Sequence, residues 1–348
     1  MKNIILTIDY ELFFGNVSGS VASCMIEPTK RLSDILASNN SKMTIYWDVL
    51  HFFKLKEYED SYPELKKDRV AIEEQIIDLT KQGHDVQLHL HPHWLDSEYE
   101  KGKWNFSYKR FKLHELSKTD NESDINTIVG CVTQACNLIN DILKPVAENF
   151  ELFSYRAGGY LVEPFATISK ALLKNGIYVD SSICPGLENT NNIFPYDFRN
   201  YPNKTYYKFE DSPAVESDKG AFIEIPIHSI KVPLYKRLYF TFLKRTKYKD
   251  IEAIKKGVGS SSAKKKEKKN ITNKIQGYIS DKEYQKLTTD NSFREKYLYL
   301  LNRSPNLSTQ IMHPKMLNKH TLYLYNEVID TNMIKFMSVK DFRKLKEI

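Results

Sequence analysis

Apolar and polar positions along this chain repeat with two different periods. Short runs rich in β-branched and aromatic residues alternate with longer stretches in which apolar residues recur every three or four positions. The first run, Asn3 to Ile8, is closed by the acids Asp9 and Glu11 and reads as a strand. "EPTKRLSDILASNN" has helical spacing, and "KMTIYWDV" reads as a second strand. A helix over about residues 68–82 meets Gly83, a residue suited to closing it, and "DVQLHL" is the third strand. "ESDINTIVGCVTQACNLINDILKPVA" predicts a long helix over about 122–147, with Asn121 or Ser123 as its cap. "ELFSYR", "IYVDSS", "AFIEIPIH", "STQIMH" and "IKFMSV" read as strands four to eight. The helix "EPFATISKALLKNG" follows the fourth, and "KDFRKLKEI" is the last helix.

Alternating strands and helices predict an α/β fold with a parallel sheet covered by helices. Seven or eight such units predict a distorted (β/α) barrel, occupying residues 1–235 and 301–348. The pattern breaks at 236–300, which reads as a basic helical and loop insertion and a candidate cap. Its flanks look helical, and "GVGSSSAKKKEKK" reads as a mobile loop.

Barrels of this kind carry their chemistry at the C-terminal ends of the strands. There this chain places Asp9 and Glu11 (first strand), His89 (third), Arg156 (fourth), Asp180 (fifth), His228 (sixth) and His313 (seventh). Core packing does not call for that set. The third strand runs into "HLHPHW", where His89 and His93 have the spacing of two imidazoles that share a metal. Pro92 ends the strand, and a turn can bring His93 back beside His89. A carboxylate from Asp9 or Glu11 would complete three ligands and leave a position open for water. A lone histidine here would read as a surface residue, but three in five residues favour a site. His84, just after Gly83, reads as structural, and His228 is the weakest of the strand-end candidates.

The motifs "TIDYE", "HLHPH", "YRAGGY", "YVDSS" and "IMH", in this order, resemble the polysaccharide deacetylases, the NodB-homology group of carbohydrate esterases. The resemblance spans about residues 3–230 and 308–340 and implies a NodB-like barrel with a divalent metal, most consistent with Zn²⁺. It implies Asp9 as the base, Glu11, His89 and His93 on the metal, and His313 as the acid, with Arg156 holding Asp9 ionised. Asp9 and Glu11 can exchange roles, because Asp9-Tyr10-Glu11 replaces the usual adjacent aspartates. Leu90 and the extra His91 depart from the second motif, and Gly158 stands where proline is usual. His91 then supports the ligands from behind. Asp180 either does the same or caps a turn with Ser181 and Ser182. Trp94, Gly159 and Tyr160 are candidates for contact with a sugar; Trp94 and Tyr160 can equally be core residues. Gly158 and Gly159 would let the backbone approach a ligand closely.

The implied reaction is metal-assisted hydrolysis of an acetamide on a sugar, with a nucleotide- or lipid-linked sugar of polysaccharide biosynthesis among the candidates. The other readings are hydrolysis of another non-peptide C–N bond and a catalytically silent carbohydrate-binding protein on the same scaffold.

Composition narrows the setting. No run of about 18 apolar residues exists, so no membrane-spanning helix is expected. Asp9 and Glu11 interrupt the first apolar run, which argues for a strand over a signal peptide and for a cytoplasmic protein. Cys24, Cys131, Cys136 and Cys184 form no CxxC pair and read as reduced. The net charge is +7, yet residues 236–274 alone hold 14 Lys or Arg against 3 Asp or Glu, a local +11. Aromatic residues are interleaved with the cations over 236–256, which makes that stretch a candidate peripheral contact with an anionic membrane at its inner face. Nucleic acid is not an expected partner, since lysine runs are usually solvated loops.

Overall fold

The computed structural model describes residues 1–190, 194–249 and 283–348. Its main sheet is built from β1 (Lys2–Tyr10), β2 (Thr44–Asp48) and β3 (Asp85–Leu90). A hairpin follows, β4 (Glu98–Glu100) with β5 (Lys103–Asn105). Then come β6 (Ser154–Ala157) and β7 (Val179–Asp180), and a second hairpin of β8 (Glu188–Asn189) and β9 (Tyr196–Asp197). β10 (Tyr207–Phe209) and β11 (Phe222–Glu224) rejoin the main sheet. β12 (Ser229–Lys231) and β13 (Tyr284–Lys286) form a third antiparallel pair. β14 (Leu307–Met312) and β15 (Ile334–Met337) complete the set.

The main sheet has the order β10-β11-β7-β6-β3-β2-β1-β14, and every neighbouring pair from β11 to β14 is parallel. Past β11 the chain stays extended, and Ile227 bridges in parallel to Thr309 of β14. The sheet therefore curls back on itself as a distorted barrel of seven parallel strands. β15 is parallel too, but it pairs with Lys2–Ile5 of β1, while β2 pairs with Thr7–Tyr10. The eighth strand thus sits end-on to β2 along one edge of β1 and adds no eighth stave. Near-continuous burial of β1, β2 and β3 fits strands covered on both faces.

Helices pack outside: Glu27–Ala37, Pro63–Lys81, Ile128–Leu143, Arg294–Arg303, Lys319–Asp330 and Val339–Lys346. The long helix starts at Ile128, later than the sequence pattern predicts. Its cap is Thr127, whose Oγ1 accepts from Gly130 N at 2.9 Å. Asn121 and Asp124 instead close local turns, accepting from the amides of Ser123 and Asn126. Val49–Tyr58 is a helix that periodicity did not reveal. Val49, Leu50, His51, Phe52, Lys54 and Leu55 are all buried, so no polar face marks the period.

Within 236–300, Leu234–Arg245 is helical as its pattern predicts. The loop "GVGSSSAKKKEKK", with the rest of 250–282, lies outside the described residues. The second flank is not one helix. Tyr284–Lys286 pairs with Ser229–Lys231, Thr288 bridges to Ile311 of β14, and the helix begins only at Arg294. The polar run "TTDNS" turns the chain between strand and helix.

Candidate metal centre and active site

In an extended chain, side chains two apart share a face. Asp9 and Glu11 use that rule at the end of β1, and His89 and His91 use it at the end of β3. Glu11 Oε2 lies 3.2 Å from His89 Nε2 and 3.3 Å from His91 Nδ1. One donor atom from each of the three buried residues falls within 4.8 Å of the others. Pro92 opens a tight turn over Pro92–Asp96, and that turn swings His93 out of the alternation. The expected pairing of His89 with His93 is not the one the structure brings together: His91, and not His93, lies beside His89 and Glu11. The His93 ring stacks on Phe111 at 4.7 Å and meets Phe14 edge-on at 4.6 Å. Neither of its nitrogens has a hydrogen-bond partner, and burial holds its pKa well below the usual value.

His89 Nδ1 lies 2.8 Å from the Arg156 carbonyl oxygen, which can only accept, so Nδ1 carries the hydrogen. Nε2 then faces a carboxylate oxygen at 3.2 Å, a contact that a proton on Nε2 or a bound cation satisfies. His91 Nδ1 is likewise buried without a hydrogen bond and points at the same carboxylate. One carboxylate and two imidazoles match a divalent ion such as Zn²⁺. Burial pulls the His89 ring pKa down, but Asp9 and Glu11 together raise it above its ordinary value.

Asp9 sits beside this cluster. Arg156 Nη1 donates to Asp9 Oδ1 at 2.6 Å. The guanidinium is fully buried and donates also to Ser181 O (2.7 Å), Ser181 Oγ (3.0 Å) and Thr7 Oγ1 (2.9 Å), with its Cζ 4.1 Å from the Tyr46 ring centre. Burial pushes the Asp9 carboxyl pKa up, but Arg156, His89 and His313 outweigh it and hold it below the usual range. Glu11 is held well below its range, against burial, by Lys315, His91 and His89.

His313 follows β14. Its Nδ1 lies 2.6 Å from Asp290 Oδ2, and its backbone N donates to Asp290 Oδ1 at 3.0 Å. Asp290 thereby turns Nε2 toward Asp9 Oδ2 (3.5 Å) and Glu11 Oε1 (3.7 Å). Three residues here escaped the sequence reading. Asp290 lies in a segment read as helical and gave no signal. Lys315, whose Nζ donates to Glu11 Oε1 at 2.6 Å, follows His313-Pro314 and gave none either. Asp48 ends β2 and could have been found by the strand-end rule. Its Oδ2 lies 3.5 Å from His91 Nδ1.

Trp94 is corrected from a candidate sugar wall to a core residue. It is fully buried, donates to Asp48 Oδ2 at 2.7 Å and stacks on His51 at 4.6 Å. The glycines divide. Gly159 (φ 60°) and Tyr160 line a cavity of about 140 Å³ with Asp9, Glu11, His89, His91 and His313, walled by Phe14, Phe111 and Phe194. A Cβ on Gly158 would meet His91 Cδ2 at 2.5 Å and Leu90 O at 2.6 Å, so the close approach there is to the ligand strand, not to a ligand. Asp180 accepts from Ser182 N (3.0 Å) and Ser182 Oγ (2.7 Å), the turn-cap arrangement. His228 lines neither this cavity nor the outer one. His84 bonds Ser33 Oγ and Met43 N at the opposite end of β3. Phe14 and His313 also line a cavity of about 910 Å³ that includes Tyr196, Arg199, Tyr284 and Lys286.

The chain is similar to polysaccharide deacetylases of known structure. One, assigned to that family, is from Mycobacterium smegmatis, with 13% identity, coverage of 98% of this chain and 88% of that one, and a TM-score of 0.43. Another is the catalytic domain of a peptidoglycan N-acetylglucosamine deacetylase from Eubacterium rectale ATCC 33656 (13% identity, 97% and 88% covered, TM-score 0.35). A 4-alpha-glucanotransferase from Thermococcus litoralis is similar as well (12% identity, 99% and 38% covered, TM-score 0.44). No family model and no curated protein matches the chain. At these identities and TM-scores the likeness carries no functional weight, and the site's own chemistry has to supply it.

Proposed function

We propose that this chain is a metal-dependent hydrolase that removes the acetyl group from an N-acetylated sugar. The observation that carries the reading is the buried Glu11–His89–His91 cluster, in which two imidazole nitrogens converge on one carboxylate beside an ionised Asp9 and an oriented His313. The motif resemblance supports the same reading. Glu11, His89 and His91 would hold the ion, which when bound polarises the acetyl carbonyl and lowers the pKa of a coordinated water. Asp9, fixed by Arg156, accepts the proton of the attacking water. Arg156 stays with Asp9 throughout, so the carboxylate does not swing away. His313, protonated on both nitrogens, delivers its Nε2 proton to the leaving amine, while Asp290 accepts from Nδ1–H and holds the ring in place. The small cavity has room for a few water-sized groups, at about 30 Å³ each, which suits an acetyl group. Gly159 and Tyr160 form its wall, and the sugar occupies the larger cavity outside.

The complete acid–base set favours an enzyme over a non-catalytic sugar binder. A peripheral role for the helix Leu234–Arg245 is a secondary part of the proposal. Phe240 and Leu243 face the core, while Tyr235, Leu238, Tyr239 and Phe242 are exposed beside Lys244 and Arg245. No described helix is long and apolar enough to cross a membrane. Acetate release from a panel of N-acetylated sugars tests the main reading. Turnover should vanish with chelator and return with Zn²⁺; acetate release that chelation leaves unchanged would contradict the metal's role.

A further inference from the structure

Two buried acids play no part in the mechanism so far. Asp180 ends β7 and Glu224 ends β11, and the parallel register sets them side by side. They are 1% and 0% exposed. Tyr155 of β6 and Tyr207 of β10 extend the same row on either side. The Tyr207 hydroxyl donates to Pro213 O at 2.5 Å, so its hydrogen is spent away from the acids. Asp180 accepts from Ser182 N and Ser182 Oγ. Glu224 Oε1 has a long contact of 3.5 Å from Ile183 N, and no described donor reaches Oε2. Two neighbouring carboxylates that are both sealed from water repel too strongly to stay ionised together. A proton on Glu224 removes one charge and supplies a donor that Asp180 can accept. Burial pushes the Glu224 carboxyl well above its usual range, and the charge of Asp180 adds to that. Burial raises Asp180 too, opposed by its bonds with Glu224 and Ser182.

Adjacent residues on a strand face opposite ways. Ser181, next to Asp180, therefore meets Arg156 across the sheet, accepting from Nε through its carbonyl oxygen and from Nη2 through Oγ. Ser181 Oγ also donates to Ile225 O, beside Glu224, at 2.8 Å. Ser182 Oγ accepts from Ala157 N at 2.8 Å while it donates to Asp180 Oδ1. The two serines thus grip the end of β6 at both Arg156 and Ala157. Arg156 in turn orients His89 through its carbonyl oxygen and Asp9 through its guanidinium. Resting on the metal-centre reading above, we infer that Glu224 and Asp180 share one proton and act as a positioning pair, which holds Ser181 and Ser182 against β6 and so keeps His89 and Asp9 in place. Neither acid lines the small cavity, so both act through Arg156 and Ala157 and touch no reacting group.

Two measurements on the full chain test this. Infrared difference spectra at neutral pH read the proton. The wild type should show the carbonyl stretch of a protonated carboxyl that Glu224→Gln lacks, whichever of the two acids carries it. Absence of that band from the difference overturns the shared proton. Zinc affinity, measured by competition with a chelator, reads the positioning without turnover. Glu224→Gln keeps the shape and offers an amide N–H to Asp180, so it should bind zinc as the wild type does. Glu224→Leu removes the donor and should weaken zinc about tenfold, in the range usual for groups that support metal ligands from behind. Ser182→Ala leaves both acids in place and cuts the link to Ala157, so it should weaken zinc as well and serves if Glu224→Leu does not fold. A loss in Glu224→Gln as large as in Glu224→Leu contradicts the shared proton. Wild-type affinity in Ser182→Ala and in folded Glu224→Leu overturns the positioning role. A wild type that binds no zinc sinks the metal-centre reading and the positioning role with it, while the infrared band still decides the pairing.

Discussion

Two pairs of imidazoles are sealed from solvent within a short distance of each other. His89 and His91 are 1% and 2% exposed; His51 and His93 are both at 0%. Burial therefore does not distinguish them, and what faces the rings does. The first pair looks at Glu11, with Asp9 and Asp48 close by. The second packs among Trp94, Phe14, Phe111 and Trp104, and its nitrogens have no hydrogen-bond partners. The pKa values diverge accordingly: His89 is raised, while burial drives His51 down to about 4 and His93 well below its usual value. A cation has a place in the first setting and none in the second.

The largest effect expected from this contrast is on turnover. Asp9→Asn and His313→Ala should each lower kcat by roughly 10²–10⁴-fold with folding intact, the usual contribution of a general base or acid. His93→Phe, by contrast, should leave kcat near wild type and change stability by less than about 1.5 kcal/mol, because it exchanges one buried ring for another. Steady-state kinetics on a responsive N-acetylated sugar decides both, and wild-type kcat in either acid–base variant would refute its role.

The contrast can be sharpened from the backbone side. Gly158→Ala pushes a methyl into the His91 ring and the Leu90 carbonyl, so it should displace His91 from Glu11. We expect weakened metal binding together with a loss of about 1–3 kcal/mol of stability, as overpacking usually costs. Unaltered metal affinity in this variant would argue that His91 is not a ligand.

The aromatic pair sets a smaller, pH-dependent effect. His51 is buried neutral, with a folded pKa of about 4 against 6.5 for the exposed ring. Between those values the unfolded chain binds the extra proton. The stability associated with the neutral ring is therefore present above pH 6.5 and lost as pH falls toward 4. The loss from His51 reaches at most about 3 kcal/mol. His84 and His228, also near 4, act in the same direction. Denaturant unfolding should show a steeper acid decline in wild type than in His51→Phe; parallel curves would remove His51 from the account.

The smallest expected effect concerns the outer face of the Leu234–Arg245 helix. Exposed Lys and Arg near an anionic leaflet are each worth about 1 kcal/mol. The chain should co-sediment with anionic vesicles more than with neutral ones, and Tyr239→Ser with Phe242→Ser should reduce that binding. Equal, negligible sedimentation with both vesicle types would dismiss the membrane contact.

Eight of the nine main-sheet strands were legible from period and composition, because parallel strands buried on both faces leave dense β-branched and aromatic runs; the short antiparallel edge strand β10 was not. The end-on placement of β15 was not legible, since register against β1 depends on partners far along the chain. Asp9, Glu11, His89, Arg156 and His313 converge because strand ends converge in a barrel. His93 misled because a four-residue spacing was read across Pro92, where the two-residue alternation of β3 already pointed to His91. Asp290 and Lys315 left no local trace; only the closure of β14 against β1 and the Thr288 bridge bring them to Glu11 and His313.

The central claim is that His89 and His91, and not His93, hold a metal with Glu11. Zinc content per chain, measured by mass spectrometry after chelation and reloading, tests it in three single variants. His89→Ala and His91→Ala should lose the ion, while His93→Ala should retain wild-type stoichiometry. Loss of zinc in His93→Ala with retention in His91→Ala would contradict the account.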